Sequence, residues 1–291
     1  MRQLTLPTGA QLPALGLGTW RMGERANRRA ADEAAVRSAL AMGYRLIDTA
    51  EMYGDGGAES AVGAALAGAL RAGEVRREEL FIVSKVYPHN ASRTGTAAAC
   101  DRSRKRLGLD TIDLYLLHWR GQFLLRETCA ALCALVQERR IGQWGVSNFD
   151  TADLQELQSV QEELGIASGP RCCAANQVYY SLGTRGPGFD LLPWQRARGM
   201  PLMAYSPIDQ GALTADPMLV TLGEHHGATA AQIALAWILA QDGVAAIPKA
   251  AQESHQRENL AAAAIVLTDA DKAQLQRHFP APRRKEPLAM L

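Results

Sequence analysis

A (β/α)8 TIM barrel is the fold this sequence predicts, and three observations predict it. Eight short apolar runs recur along the 291 residues, at 14–18, 45–48, 80–84, 112–117, 142–146, 173–177, 201–205 and 244–247. Most are rich in Leu, Ile or Val, which suits strands buried on both faces. Ala-rich amphipathic stretches lie between them, among them 28–42, 94–107, 125–139 and 228–241. Strands that alternate with helices build parallel βαβ units, and eight such units close into a barrel of about 250 residues. No low-complexity segment and no Pro/Ser-rich linker interrupts the alternation, so one domain is expected over 1–291.

The elements follow in order. The opening "RQLTLPTGAQLP" departs from the repeat: "TGAQ" reads as a turn between two short strands. That N-terminal β-hairpin is expected across the barrel bottom. The eight strand–helix units come next. The chain closes on "PAPRRKEPLAML", Pro-rich and basic, expected as a surface strap or a poorly ordered end. A doubly wound sheet is the rival, but its Gly-x-Gly-x-x-Gly turn is missing. "LGLGTW" offers Gly16 and Gly18 without the third glycine, and no helix opens there.

Bulk properties exclude several functions. Hydrophobic residues make up 47% and charged residues 21%, with a net charge of +1. Nothing in that balance points to nucleic acid or a membrane surface. No apolar run reaches the ~18 residues of a membrane span, and the N-terminus has Pro and Gly where a signal peptide needs an apolar core. The five cysteines lack metal-site spacing, so no metal is expected, and they read as buried thiols of a cytoplasmic protein.

Active sites of such barrels lie at the C-terminal ends of the strands. Three successive units end on Asp48, Lys85 and His118, and Tyr53 follows in the loop after the first. Singly, each has a structural reading: a helix cap, a surface cation, a space-filling ring. Together they fit one chemistry. An ammonium near a phenol favours the phenolate, and a carboxylate keeps the ammonium charged and in place. A neutral imidazole donates a hydrogen bond to a carbonyl oxygen. Such a site protonates a carbonyl oxygen while a hydride, as from a nicotinamide, attacks the carbon.

The segments "LGLGTW", "LIDTAEMYG", "VSKVYP", "DLYLLHW", "WGVSNF", "NQVYY", "AYSPI" and "IPKA", in this order, resemble the landmarks of the aldo-keto reductases. The likeness is greatest to bacterial members that reduce methylglyoxal and similar short aldehydes. It implies a tetrad of Asp48, Tyr53, Lys85 and His118, with Tyr53 as the general acid. It implies that Ser147, Asn148 and Gln177 hold the nicotinamide carboxamide and that Tyr205 stacks on the ring. Ser206, Pro207, Ile208, Gln210 and Gly211 would cover the pyrophosphate. Lys249 and His255 would meet the 2′-phosphate of NADPH/NADP+, and Asn259 the adenine. Ala250 lacks the hydroxyl usual there, and His255 stands where the family has arginine, so NADPH is expected, with a weaker preference over NADH than in members with the full set. The glycine pair after Tyr53 departs from the shorter loop common in the family.

Trp20, Tyr87, Trp119 and Trp194 are candidates for an aromatic wall of the substrate pocket. The short loop after His118 and the short tail predict an open pocket for a small carbonyl substrate. Arg120 either attracts an anion at the mouth or is solvated. The expectation is a monomeric aldehyde or ketone reductase. The alternatives are a Schiff-base aldolase using Lys85 and a nucleotide-binding redox sensor or partner subunit with little turnover.

Overall fold

In the computed structural model, which describes residues 2–291, ten strands form two sheets. β1 (Gln3–Thr5) and β2 (Gln11–Pro13) pair antiparallel as the expected hairpin. The second sheet holds β3 (Gly16–Gly18), β4 (Leu46–Asp48), β5 (Phe81–Val86), β6 (Ile112–Leu117), β7 (Ile141–Ser147), β8 (Cys173–Tyr179), β9 (Leu202–Tyr205) and β10 (Val244–Ala246). They neighbour one another in chain order, every pair parallel. Bridges from Leu15 to Ala246 and from Gly18 to Lys249 join the two edges and close the ring. All eight expected strands are present.

The outer layer holds α1 (Arg29–Ala41), α2 (Gly57–Arg71), α3 (Arg93–Leu107), α4 (Leu125–Gln137), α5 (Thr151–Glu163), α6 (Leu191–Arg196), α7 (Pro217–His225), α8 (Ala230–Leu239), α9 (Glu253–Ala262) and α10 (Asp269–His278). Several start where side chains satisfy the free N–H groups of the first turn. Ser92 accepts from Gly95 N ahead of α3, and Thr229 pairs reciprocally with Gln232 at the start of α8. No helix among the described residues is long and apolar enough to cross a membrane.

Two apolar layers follow from the strand period of two. In β4, Leu46 packs inside the ring while Ile47 packs against the helices. Val83 and Ile82 divide in the same way on β5, as do Leu116 and Tyr115 on β6. Leu6 and Leu12 of the hairpin join the interior cluster with Leu46 and Phe81, at the strands' N-terminal ends. Arg2 donates to the Val244 carbonyl at 2.9 Å, and Thr8 bonds Gln143. The hairpin thus plugs the bottom and leaves the C-terminal rim open. The tail is a strap: Lys285 pairs with Asp150 at 2.9 Å, and Leu288 packs against the outer core.

Candidate active site

Strand alternation places the polar side chains. Asp48 lies two residues after inward-facing Leu46, Lys85 two after Val83 and His118 two after Leu116. All three therefore point into the top of the ring. Gln177 follows Ala175, and Tyr205 follows Met203, by the same step.

Lys85 is completely buried, and its ammonium has three acceptors: Asp48 Oδ2 at 2.8 Å, the Thr49 carbonyl at 2.9 Å and the Tyr53 hydroxyl at 3.2 Å. The other Asp48 oxygen, Oδ1, accepts from Gln177 Nε2 at 2.8 Å. The His118 ring stands edge-on to Tyr53, centroids 5.7 Å apart. Burial works against the Lys85 ammonium, but Asp48 and Tyr53 outweigh it and hold its pKa above that of a free lysine. Burial also pushes the Tyr53 phenol up, and the Lys85 charge opposes this without overcoming it. The sequence reading had the ammonium lowering the phenol's pKa; desolvation reverses the net direction. The phenol therefore keeps its proton at neutral pH, beside a cation that stabilises the phenolate once the proton leaves. Burial, then the Lys85 charge, depress His118 well below 6.5, so the imidazole is neutral. A lysine bonded to three acceptors, one of them a carboxylate, is no free amine for a Schiff base, which argues against the aldolase reading.

The turn after Asp48 explains its glycines. Gly54 has φ +57° and Gly56 has φ +83°. A Cβ on Gly54 would lie 2.6 Å from the Gly23 carbonyl carbon, and one on Gly57 2.5 Å from the Gly23 oxygen. The extra glycines let this turn lie backbone to backbone on the 23 loop.

A cavity of about 720 Å3 runs from this cluster, within the range of small-molecule sites. Asp48, Tyr53 and His118 line one end together with Trp20 and Trp119. Ser147, Asn148, Gln177 and Tyr205 line its middle, followed by Ser206, Pro207, Ile208, Gln210 and Gly211. Lys249, His255 and Asn259 line the same cavity. Asn148 donates to the His118 carbonyl at 3.1 Å and accepts from the Tyr205 hydroxyl at 2.9 Å, which ties the middle to the tetrad. Ser206, Asp209, Gln210 and Gly211 all have positive φ. Asp209, Gln210 and Gly211 are consecutive, and such a left-handed turn can present backbone N–H groups to an anion. Asp209 latches it by bonding Ser181. The donors suit an elongated ligand with an amide at one end and phosphates further on.

Some expectations need correction. Tyr87 does not line the cavity; it stands behind Trp119, edge-on at 5.0 Å. Trp194 lies on α6 under the Arg198 guanidinium at 3.8 Å and is absent from the lining. Arg120 is bonded by both terminal nitrogens to Glu156, at 2.6 and 2.7 Å, so it is no anion trap at the mouth. The tail does not leave the pocket bare, because Met290 and Leu291 line it. The sequence reading also missed Met52, Arg21 and Glu258 in the lining. Met52 was findable as the neighbour of Tyr53; the tail residues carry no local signal.

The chain is similar to known proteins over nearly its whole length. Residues 14–279 match the aldo/keto reductase family. Methylglyoxal reductase YeaE of Escherichia coli is 46% identical over 285 residues, 96% of this chain and 95% of that protein. Glyoxal reductase of Bacillus subtilis is 36% identical over 254 residues, covering 87% and 84%. A crystal structure of an aldo-keto reductase from Klebsiella pneumoniae in complex with NADPH superposes with a TM-score of 0.91 at 43% identity, covering 100% of this chain and 99% of that one.

Proposed function

We propose, since the chain belongs to the aldo/keto reductase family, that it reduces short aldehydes and ketones, methylglyoxal among them, with NADPH. The observation that carries this reading is the Tyr53 hydroxyl, 3.2 Å from the Lys85 ammonium in a cavity that also holds His118 and extends to Lys249. The relatives' activities toward methylglyoxal and glyoxal, and the bound NADPH of the Klebsiella pneumoniae enzyme, support it.

The residues present fit the cofactor. The Ser147, Asn148 and Gln177 side chains suit the carboxamide, Tyr205 the ring, the left-handed turn at Asp209, Gln210 and Gly211 with Ser206 before it the pyrophosphate, and Lys249 with His255 the 2′-phosphate. The nicotinamide, when bound, supplies the hydride. Tyr53 gives its proton to the carbonyl oxygen. The Lys85 ammonium then holds the phenolate, and Asp48 holds Lys85. The neutral His118 orients the same oxygen by hydrogen bonding. Trp20, Trp119 and Met52 bound a space suited to a small substrate.

The test is loss of nicotinamide absorbance with NADPH, then NADH, against methylglyoxal and a panel of aromatic, sugar and aliphatic aldehydes. Turnover with short aldehydes, faster with NADPH, is expected. NADPH binding without turnover anywhere in the panel would overturn the reading in favour of a nucleotide-binding sensor or partner subunit.

A further inference from the structure

The turn that carries Tyr53 is flanked in sequence by two buried carboxylates that the proposed chemistry does not use. Glu51 lies two residues before Tyr53, its side chain only 7% exposed. Its Oε1 accepts from the Tyr87 amide at 2.7 Å and from Asn90 Nδ2 at 3.0 Å; its Oε2 accepts from Arg102 at 3.2 Å. Glu59 is fully buried, accepting from Ser84 Oγ at 2.5 Å and Arg106 Nε at 2.6 Å. Arg102 and Arg106 are four residues apart on α3, so one face of that helix serves both acids. Buried carboxylates persist only when paired and hydrogen-bonded, and each of these is.

The two acids differ in what they reach. Glu59 ties α2 to α3 and to Ser84, whose side chain alternates away from that of Lys85. Neither of its hydrogen-bond partners lines the cavity. Glu51 ties the Tyr53 turn to the segment after β5. Tyr87 in that segment supports Trp119 edge-on, and the Trp119 ring lies 4.7 Å from the His118 ring. The backbone of the Tyr53 turn, Glu51, Tyr87, Trp119 and His118 thus form one contact chain between the acid and the carbonyl-orienting donor.

We propose that Glu51 is a positioning residue that fixes the Tyr53 phenol relative to the His118 imidazole, and so the geometry in which the carbonyl oxygen is protonated. The proposal rests on the reductase reading of those two side chains. Displacing a reacting group by 1 Å costs about 10²-fold in rate. Glu51→Ala removes all three hydrogen bonds. Glu51→Gln keeps an acceptor for the Tyr87 and Asn90 amides, and Arg102, 48% exposed, is free to turn to solvent.

The experiment is single-turnover oxidation of bound NADPH by methylglyoxal in a stopped-flow instrument, with NADPH affinity measured by fluorescence. A merely destabilising change lowers the amplitude of that reaction and leaves its rate constant alone. Glu51→Ala is expected to lower the rate constant about tenfold or more, with NADPH affinity within about twofold. Glu51→Gln is expected to restore most of the rate. Glu59→Gln is expected to lower the melting temperature with the rate constant unchanged. If Glu51→Ala does not fold, Glu51→Asp, which draws the carboxylate back by one methylene, is expected to slow the reaction in its place. A wild-type rate constant in the folded Ala or Asp variant overturns the proposal, as does an equal loss in Glu51→Gln. Those results leave the reductase reading standing if Tyr53→Phe is inactive. A wild-type protein that binds NADPH but never oxidises it overturns both.

Discussion

The two ends of the cavity are built differently. At one end Asp48, Lys85, Tyr53 and His118 sit in a shell where every charge has a partner and the lysine is wholly buried. At the other, Lys249 and His255 are exposed, with the half-buried Glu258 in the same lining. Chemistry needs groups held within fractions of an ångström, and strand ends in a closed ring provide that. Recognition of a phosphate by exposed cations needs charge more than precision, and it is screened by salt. Substitutions at the first end should therefore act on turnover and folding. Those at the second should act on affinity and on the choice between NADPH and NADH.

The largest expected effect breaks the buried end. Lys85→Met leaves Asp48 buried without its cation and should cost about 3–5 kcal/mol of stability, read from urea unfolding, with turnover lost as well. A loss below about 1 kcal/mol, the worth of an exposed pair, would mean that the pair is not sealed from water.

A second expectation concerns pH. Because burial holds His118 well below 6.5, the unfolded imidazole binds a proton beneath about pH 6.5 while the folded one does not. The unfolded state then holds more protons, so stability is full above that pH and falls as the pH drops through the window below it. Unfolding measured at pH 7 and pH 5 should show a smaller difference in His118→Gln than in the wild type. An equal difference would show that this imidazole is not kept neutral by the fold.

The open end should respond more gently. Lys249→Ala should weaken NADPH relative to NADH by about tenfold, or 1.4 kcal/mol. His255→Arg should strengthen NADPH relative to NADH by roughly two- to fivefold, the worth of an exposed ion pair of about 0.5–1 kcal/mol. Both follow from titrations at two salt concentrations, and the effects should shrink at the higher one. Salt-independent shifts would place the phosphate in a drier setting than these exposed side chains provide.

This contrast also explains what the sequence made legible. Strand ends could be read because each is a short apolar run that stops on a polar residue, and the period of two fixes the side that residue faces. Asp48, Lys85, His118 and Gln177 are read in that way or through the motifs around them, and the structure brings them together at one end of the barrel. Tyr87 was misplaced because its run, "VSKVYP", shows that an aromatic follows the strand but not which way the turn aims it; the bond from its amide to Glu51 turns it behind Trp119. Met290 and Leu291 were invisible because their place depends on the path of a strap anchored at Asp150, far away in sequence. The direction of the Tyr53 shift was misread because a residue string names the charged neighbour but not the depth of burial.

The most direct test of the account is a comparison of wild type and Tyr53→Phe in single-turnover NADPH oxidation by methylglyoxal, with NADPH affinity measured on the same samples. Tyr53 as general acid predicts a rate constant lower by about 10²–10⁴ in the variant, the usual worth of such an acid, and unchanged NADPH affinity. Equal losses of rate and affinity, or a rate that survives without the hydroxyl, would contradict it.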